Sequence, residues 1–417
     1  MCAAGRQNRG RVMYISLVTE TFDPDINGVA TTLKQIHSAL LSSGHRVQLV
    51  CPKGDKAREL DDLLEVPGLA LPFYTDVRLG LPVGRRLKRR WQTERPDLVH
   101  IATEGPLGYA ALRTAKALGL PVTSSLHTNF HTYMRFYRVG WLAAPVMRYL
   151  KWFHNRTART FIPTGQQAEA LSLSGFDRLA MLGRGVDTAL FNPERRDAAL
   201  RAQWSEHSGV AAGDEPKVAL HVGRLAPEKN LNLLLQTFNA MRVARPDMIG
   251  VVVGDGPERA RLEKALPWVI FTGMKRGEQL ARHYASADLF IFPSQTETFG
   301  NVLLEAMACG LICVSFDYAA GNYLIHDGRN GYLAPLGDDA HFVKAAVELV
   351  RAEGPDMLQI GSRAREAAAA FDWARVTRAF EQHLKDVLQV ESARSASDEH
   401  SGLQGSGGLT NQDKTGV

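Results

Sequence analysis

The chain has 417 residues, 45% hydrophobic and 22% charged, which describes a soluble globular protein too long for one ordinary core, so two domains are expected. No apolar run approaches the roughly 20 residues that span a bilayer, and the brief run Met13–Val18 reads as a first strand and not as a signal peptide. Net charge is +5, but residues 1–190 carry 25 Lys+Arg against 15 Asp+Glu and the remainder 24 against 29, so the first half is expected to face something acidic: nucleic acid, anionic lipid or a phosphorylated substrate.

Strand–helix alternation opens the chain. Arg11–Val18 reads as a strand, Val29–Ser43 as an amphipathic helix stopped by Gly44, and Val47–Cys51 as a strand ended by Pro52. Strands Asp97–Ile101 and Val122–Leu126 follow, with helix Pro106–Leu118 between them. Such alternation predicts a doubly wound parallel sheet. Cys51 falls in a strand, and Cys2, Cys309 and Cys313 add no metal-ligand or redox spacing to it. Packed thiols in a reduced, cytoplasmic protein are expected.

On the first strand–helix turn, Gly28 precedes a helix and would let backbone N–H groups approach a phosphate. Asp23-Pro24-Asp25 on the same turn raises a divalent-cation reading. Pro24 stiffens the loop, however, and no nearby acid or histidine cluster completes a set of hard ligands, so no metal is expected.

Further on, Arg85, Arg86, Lys88, Arg89 and Arg90 surround Leu87 and precede Trp91. As a helix, this stretch has leucine and tryptophan on one side and cations elsewhere. That suits an anionic membrane surface, with Leu79, Leu81, Leu87 and Trp91 available to enter it, or a solvated helix packing its leucines on the sheet. His127 follows a strand end, where a catalytic cleft would open. Beyond it Trp141, Met147, Tyr149, Trp152 and Phe153 interleave with Arg148, Lys151, Arg156 and Arg159, a pattern fit for an acceptor cleft or for helix packing.

Strand Phe161–Thr164 and the turn Gly183-Arg184-Gly185-Val186-Asp187 lead to a junction over Asn192–Glu215. The second domain opens with strand Val218–Val222. Arg224 and Lys229 then flank the entrance to helix Leu231–Met241, where two cations beside a helix N-terminus can neutralise a diphosphate. Strand Ile249–Val253 runs into the glycine turn at Gly254, and Gly273-Met274-Lys275 follows the next strand. Leu289–Ser294 reads as a buried strand stopped by Pro293, then a polar loop with Glu297, then a helix with Glu305 that ends at Gly310. Ligands sit at the carboxyl ends of such strands, and carboxylates there suit hydroxyls better than phosphate, so the joint reads as a site for a phosphate flanked by polyols. Asp327–Gly331 reads as a hairpin turn, Asp372-Trp373 opens a final helix, and the Ser/Gly/Asp-rich tail is expected to be disordered.

The segment from Pro293-Ser294 through Glu297, Phe299-Gly300, Glu305-Ala306-Met307-Ala308 and Gly310 resembles the E-x7-E element of retaining glycosyltransferases of family four, which have the GT-B fold. The resemblance covers about residues 12–390. It implies two Rossmann-like parallel-sheet domains facing across a cleft: 1–195 for the acceptor, 196–371 for the nucleotide sugar, 372–390 as a helix crossing back, and 391–417 as a disordered tail. It places His127 and Glu297 beside the donor sugar, Arg224 and Lys229 on the leaving diphosphate, and Glu305 on the ribose. Gly28, Arg184, Gly254, Met274, Thr298, Phe299, Gly300 and Leu304 are assigned to the donor, Arg184 by meeting a charged group. Most relatives have Gly-Gly where this chain has Asn27-Gly28.

Thr128-Asn129-Phe130 and Gly183–Asp187 look like the subgroup of GDP-mannose-dependent mannosyltransferases and plant-type sulfolipid synthases. The implied function is retaining transfer of a hexose, mannose from GDP-mannose, to a lipid or glycan, with no metal or other cofactor. The implied place is the cytoplasm or the inner face of the cell membrane. The alternatives are a UDP-sugar-dependent diacylglycerol glycosyltransferase and a non-catalytic nucleotide-sugar-binding module; no nucleic-acid motif accompanies the basic half.

Overall fold

In the computed structural model, residues 12–25, 27–54, 57–71, 74–127, 143–210 and 216–404 are described. Thr128-Asn129-Phe130 and Trp141 lie outside them.

The chain forms two compact units, one from residues 1–125, 153–160 and 377–417, the other from 126–152 and 161–376. Compactness follows packing and not chain order. Residues 161–195 group with the second unit and those from 377 with the first.

The first sheet is built from β1 (Tyr14–Val18), β2 (Arg46–Pro52), β3 (Leu63–Val66), then, after the hairpin β4 (Gly68–Leu71) and β5 (Tyr74–Gly80), β6 (Leu98–Ile101), β7 (Val122–Ser125), β8 (Arg159–Ile162) and β9 (Leu179–Met181). Its order is β3-β2-β1-β6-β7-β8-β9. The pairs β2–β3, β1–β2, β1–β6 and β6–β7 are parallel, so the order reverses between β1 and β6.

The second sheet holds β10 (Val218–Val222), β11 (Ile249–Val253), β12 (Ile270–Gly273), β13 (Leu289–Phe292), β14 (Ile312–Phe316) and β15 (Tyr332–Ala334). Their order is β12-β11-β10-β13-β14-β15, all parallel, with the reversal between β10 and β13. Every residue of β10, β11, β13 and β14 is buried. Continuous apolar runs of this kind belong to strands covered on both faces. One core packs Leu220, Val251, Phe290, Leu303 and Met307 on one side of this sheet. A second packs Leu233, Phe238, Val252, Ile291 and Phe342 on the other.

The segment Asp327–Gly331 is not a hairpin turn. β14 and β15 run parallel, so the link between them must cross over, and it does so through the short helix Ala320–Leu324 and this turn. The Asp327 carboxylate closes the turn by accepting from Leu333 N at 2.9 Å.

The final helix, Trp373–Gln404, continues past the expected end at 390. No glycine or proline interrupts 373–401, and Ala393, Ala396 and Glu399 are good helix formers. Within the first unit its start is held by polar contacts: Glu381 with His45 at 3.1 Å, and His383 with Arg159 at 2.8 Å. Phe380 stands edge-on to the buried His100, 5.0 Å between centroids.

Candidate active site

In an open parallel sheet the crevice lies where the strand order reverses, outside the carboxyl ends of the strands. In the second unit that place is fixed by the loops after β10 and β13, residues 223–230 and 293–300. Side-chain contacts join them. Lys229 Nζ donates to Glu297 Oε1 at 2.5 Å, Thr296 Oγ1 donates to Glu228 O at 2.8 Å, and Asn230 Nδ2 donates to Pro293 O at 3.2 Å. Burial alone would raise the Glu297 pKa, but the Lys229 charge and hydrogen bond outweigh it and hold the carboxyl below its usual range. Arg224 Nη1 lies 3.9 Å from the buried Glu228 carboxylate and keeps about a third of its side chain exposed.

Backbone packing shapes the rest of this edge. Gly254, at φ +145°, sits so close to Gly223 that a Cβ would meet Gly223 O at 1.9 Å. Its glycine is thus required by strand-end packing, whatever else it serves. Gly300, at φ +107°, precedes the helix Asn301–Ala308 and ends the Glu297 loop. Phe299 is buried and edge-on to Tyr323, and Thr298 is half-buried. Met274 is 45% exposed. Leu304 is fully buried in the core, so its side chain packs the helix and offers no ligand surface.

Glu305 accepts a hydrogen bond from Tyr284 Oη at 3.0 Å. Desolvation pushes its pKa up to about 7, and the tyrosine only partly offsets this. The two acids of this joint therefore titrate in opposite directions, because one faces a lysine and the other a phenol. Tyr284, Asn230 and Thr296 were not singled out by the sequence. The first hides on the apolar side of a helix and the others are ordinary loop polars.

His127 and Arg184 meet in the same unit, Arg184 Nη2 lying 2.7 Å from His127 Nδ1. Arg184 is 6% exposed, and burial lowers its pKa to about 10.

Gly28 belongs to the first unit and starts the helix Gly28–Ser42. Asn27, in place of a first glycine, caps that helix, its Oδ1 accepting from Ala30 N at 2.8 Å while Nδ2 donates to Thr21 Oγ1. The loop acids are engaged locally. Asp25 accepts from Thr21 Oγ1 at 2.8 Å, and Asp23 pairs with Lys34 at 3.2 Å.

The basic stretch forms the helix Gly84–Thr93. Trp91 and Leu87 are fully buried, and Trp91 Nε1 donates to Gln48 Oε1 at 3.1 Å, so neither is available to a membrane. The protein interior claims the apolar side of this helix. Arg90 is half-buried and paired with Asp62 and Glu94 at 3.0 and 2.8 Å. Arg85, Arg86, Lys88 and Arg89 stay exposed, and Arg86 Nη1 donates to Glu65 O. Among the described residues no helix is long and apolar enough to cross a membrane.

The two doubly wound parallel sheets give the α/β architecture of the GT-B class, and a lysine–glutamate pair with a flanking arginine stands at the reversal of the second. Residues 26–190 match the family described as glycosyltransferase family 4, and residues 216–352 that described as glycosyl transferases group 1. The chain is 34% identical to a GDP-mannose-dependent alpha-mannosyltransferase of Mycobacterium tuberculosis, over 80% of this chain and 86% of the relative. It is 31% identical to a sulfoquinovosyl transferase of Arabidopsis thaliana, over 73% and 60% of the respective chains. A sucrose-phosphate synthase from Thermosynechococcus elongatus shares the fold, with TM-score 0.72 and 19% identity, over 91% of this chain and all of the other. The chain belongs to glycosyltransferase family 4.

Proposed function

We propose that this enzyme transfers mannose from GDP-mannose, with retention of configuration, to a lipid acceptor at an anionic membrane surface. The observation that carries the chemistry is the Lys229–Glu297 contact across the β10/β13 reversal, with Arg224 beside it. Similarity to enzymes named GDP-mannose-dependent alpha-mannosyltransferases, at 30–34% identity, supports the donor.

Lys229 and Arg224 neutralise the diphosphate as the anomeric C–O bond breaks. Glu297 accepts hydroxyls of the hexose and Glu305 those of the ribose, while Gly28, Gly254, Met274, Thr298, Phe299 and Gly300 shape the donor's surroundings. The acceptor oxygen bonds to the anomeric carbon on the face the diphosphate leaves, and a phosphate oxygen takes its proton. The two cations supply the charge a metal would otherwise bring, so activity is expected to survive a chelator. Loss on chelation with rescue by Mg²⁺ or Mn²⁺ would overturn this.

The lipid acceptor rests on the helix Gly84–Thr93, whose exposed Arg85, Arg86, Lys88 and Arg89 form a polybasic surface. Each gains roughly 1 kcal/mol near an anionic bilayer, less in salt. With Leu87 and Trp91 buried, the proposed attachment is electrostatic, reversible and salt-sensitive, and it suits a cytoplasmic protein docking on the inner face of the membrane. Co-sedimentation with anionic vesicles is expected to drop when all four become Gln. Equal sedimentation of both proteins would remove the docking.

A second reading is a glucosyl- or sulfoquinovosyl-diacylglycerol synthase using a UDP-sugar, supported by 28% identity to an alpha-monoglucosyldiacylglycerol synthase of Streptococcus pneumoniae. A panel of UDP-, GDP- and ADP-sugars with lipid extract, read by product mass, decides. Hexose addition to lipid from GDP-mannose is expected, and addition from UDP-sugars alone selects the second reading.

A further inference from the structure

Among the described residues, Arg184 is a buried cation without an ion pair. Its Nη1 reaches Leu182 O at 3.3 Å and Gly183 O at 3.4 Å, both long for N–H···O bonds. Among the described residues its one short contact is Nη2 to His127 Nδ1 at 2.7 Å. Among the described residues no carboxylate lies within ion-pair distance of it. Burying a guanidinium is costly, and a side chain kept there on two long carbonyl contacts and one imidazole is held for what it does to that imidazole.

A guanidinium has N–H donors only and offers no lone pair in plane. Nδ1 of His127 must therefore be the acceptor. In a neutral imidazole one nitrogen donates and the other accepts, so an accepting Nδ1 leaves the proton on Nε2.

We propose that Arg184 is a positioning residue that fixes His127 in the neutral, Nε2-protonated form, so that the ring presents a hydrogen-bond donor to the hexose. The consequence for transfer rests on the reading above together with the family resemblance that sets His127 beside the donor sugar. A ring locked in this tautomer can donate to a sugar hydroxyl, but it lacks the second N–H of an imidazolium. It thus adds no positive charge beside an anomeric carbon that is itself becoming positive. Arg184 stabilises the form that tolerates this charge and holds the ring plane against rotation.

The test needs no substrate. Two-bond ¹H–¹⁵N spectra of the full chain labelled with ¹⁵N-histidine separate the tautomers, and His127→Gln assigns the signal. At pH 7.5 the wild type is expected to show an unprotonated Nδ1 and a protonated Nε2 for His127. In Arg184→Met the two tautomers should mix. A wild-type ring protonated at Nδ1, or a variant spectrum unchanged from wild type, overturns the proposal. If Arg184→Met does not fold, the wild-type spectrum decides alone. In turnover, Arg184→Met should lower kcat by on the order of 10–100-fold, the range seen when the partner orienting a metal-bound histidine is removed, with donor KM little changed. Arg184→Lys, which keeps a donor-only cation, should recover part of it; a KM effect alone would overturn the positioning role. Absence of turnover with every sugar nucleotide in the wild type would refute the mannosyl-transfer reading and leave the spectra to judge the tautomer.

Discussion

The two sheets reverse their strand order in the same way, yet place opposite chemistry there. In the first unit, Glu20 lies just past β1 with its carboxylate turned into the fold. It accepts from Leu107 N at 3.0 Å and from Gly80 N, tying the hairpin to the start of the helix Pro106–Ala117. Its neighbour Glu104 is likewise buried, and burial pushes both pKa values up to about 7. In the second unit, Glu297 meets Lys229 and is held below its usual range. A carboxylate served only by backbone N–H groups pays for its burial in proton affinity; one served by a lysine does not. The first reversal is built to hold backbone together, the second to keep a cation and an anion side by side at the strand ends.

The sharpest way to break this contrast is to remove the cation. Lys229→Ala is expected to lower turnover by ~10²–10³, the usual loss when one charge-stabilising donor is removed. The measurement is kcat with saturating donor, and a fall under tenfold would take Lys229 out of leaving-group stabilisation.

The pH dependence of stability sharpens the contrast further. Glu20 has its folded pKa raised from 4.5 to about 7. Its contribution is therefore complete below about pH 4.5 and lost as pH rises through about 7. Glu20→Gln should flatten the decline in thermal midpoint across that window. Glu297 has its folded pKa lowered, so its contribution is present above the ordinary carboxyl range and lost as pH falls through the lowered value. Glu297→Gln should thus cost stability at neutral pH and little in acid. Parallel midpoint-against-pH curves for the two variants would erase the distinction.

The smallest effect concerns the loop after β1. Asn27→Ala removes the helix cap and should cost about 1 kcal/mol, measured by urea unfolding. Asn27→Gly should cost only a few tenths, which would show that a first glycine is compatible with this turn.

Two strands of the second sheet were legible to the residue, and β13 nearly so, whereas β14 and β15 were not. Val218–Val222 and Ile249–Val253 have the bounds the apolar runs predict, because strands buried on both faces carry no alternation to misread. The Gly68–Gly80 hairpin and β3 were not legible. Their short, partly exposed sequences give neither a continuous run nor a clean period of two. For the helix Gly84–Thr93 the amphipathic pattern was plain, but a pattern does not say whether sheet or lipid takes the apolar side; Trp91 at the core settles it. Sequence marked Lys229 and Glu297 by motif. Their contact, the Tyr284–Glu305 bond and the His127–Arg184 bond depend on long-range packing that no local spacing encodes.

The return of the final helix to the first unit has a consequence for synthesis. A ribosome releases residues 12–125 well before 377–404, and until then His100 lacks Phe380, His45 lacks Glu381 and Arg159 lacks His383. The unit that starts first is finished last. Translation must therefore pass through a state in which the second unit has its whole chain while the first still shows the polar and aromatic groups meant for that helix.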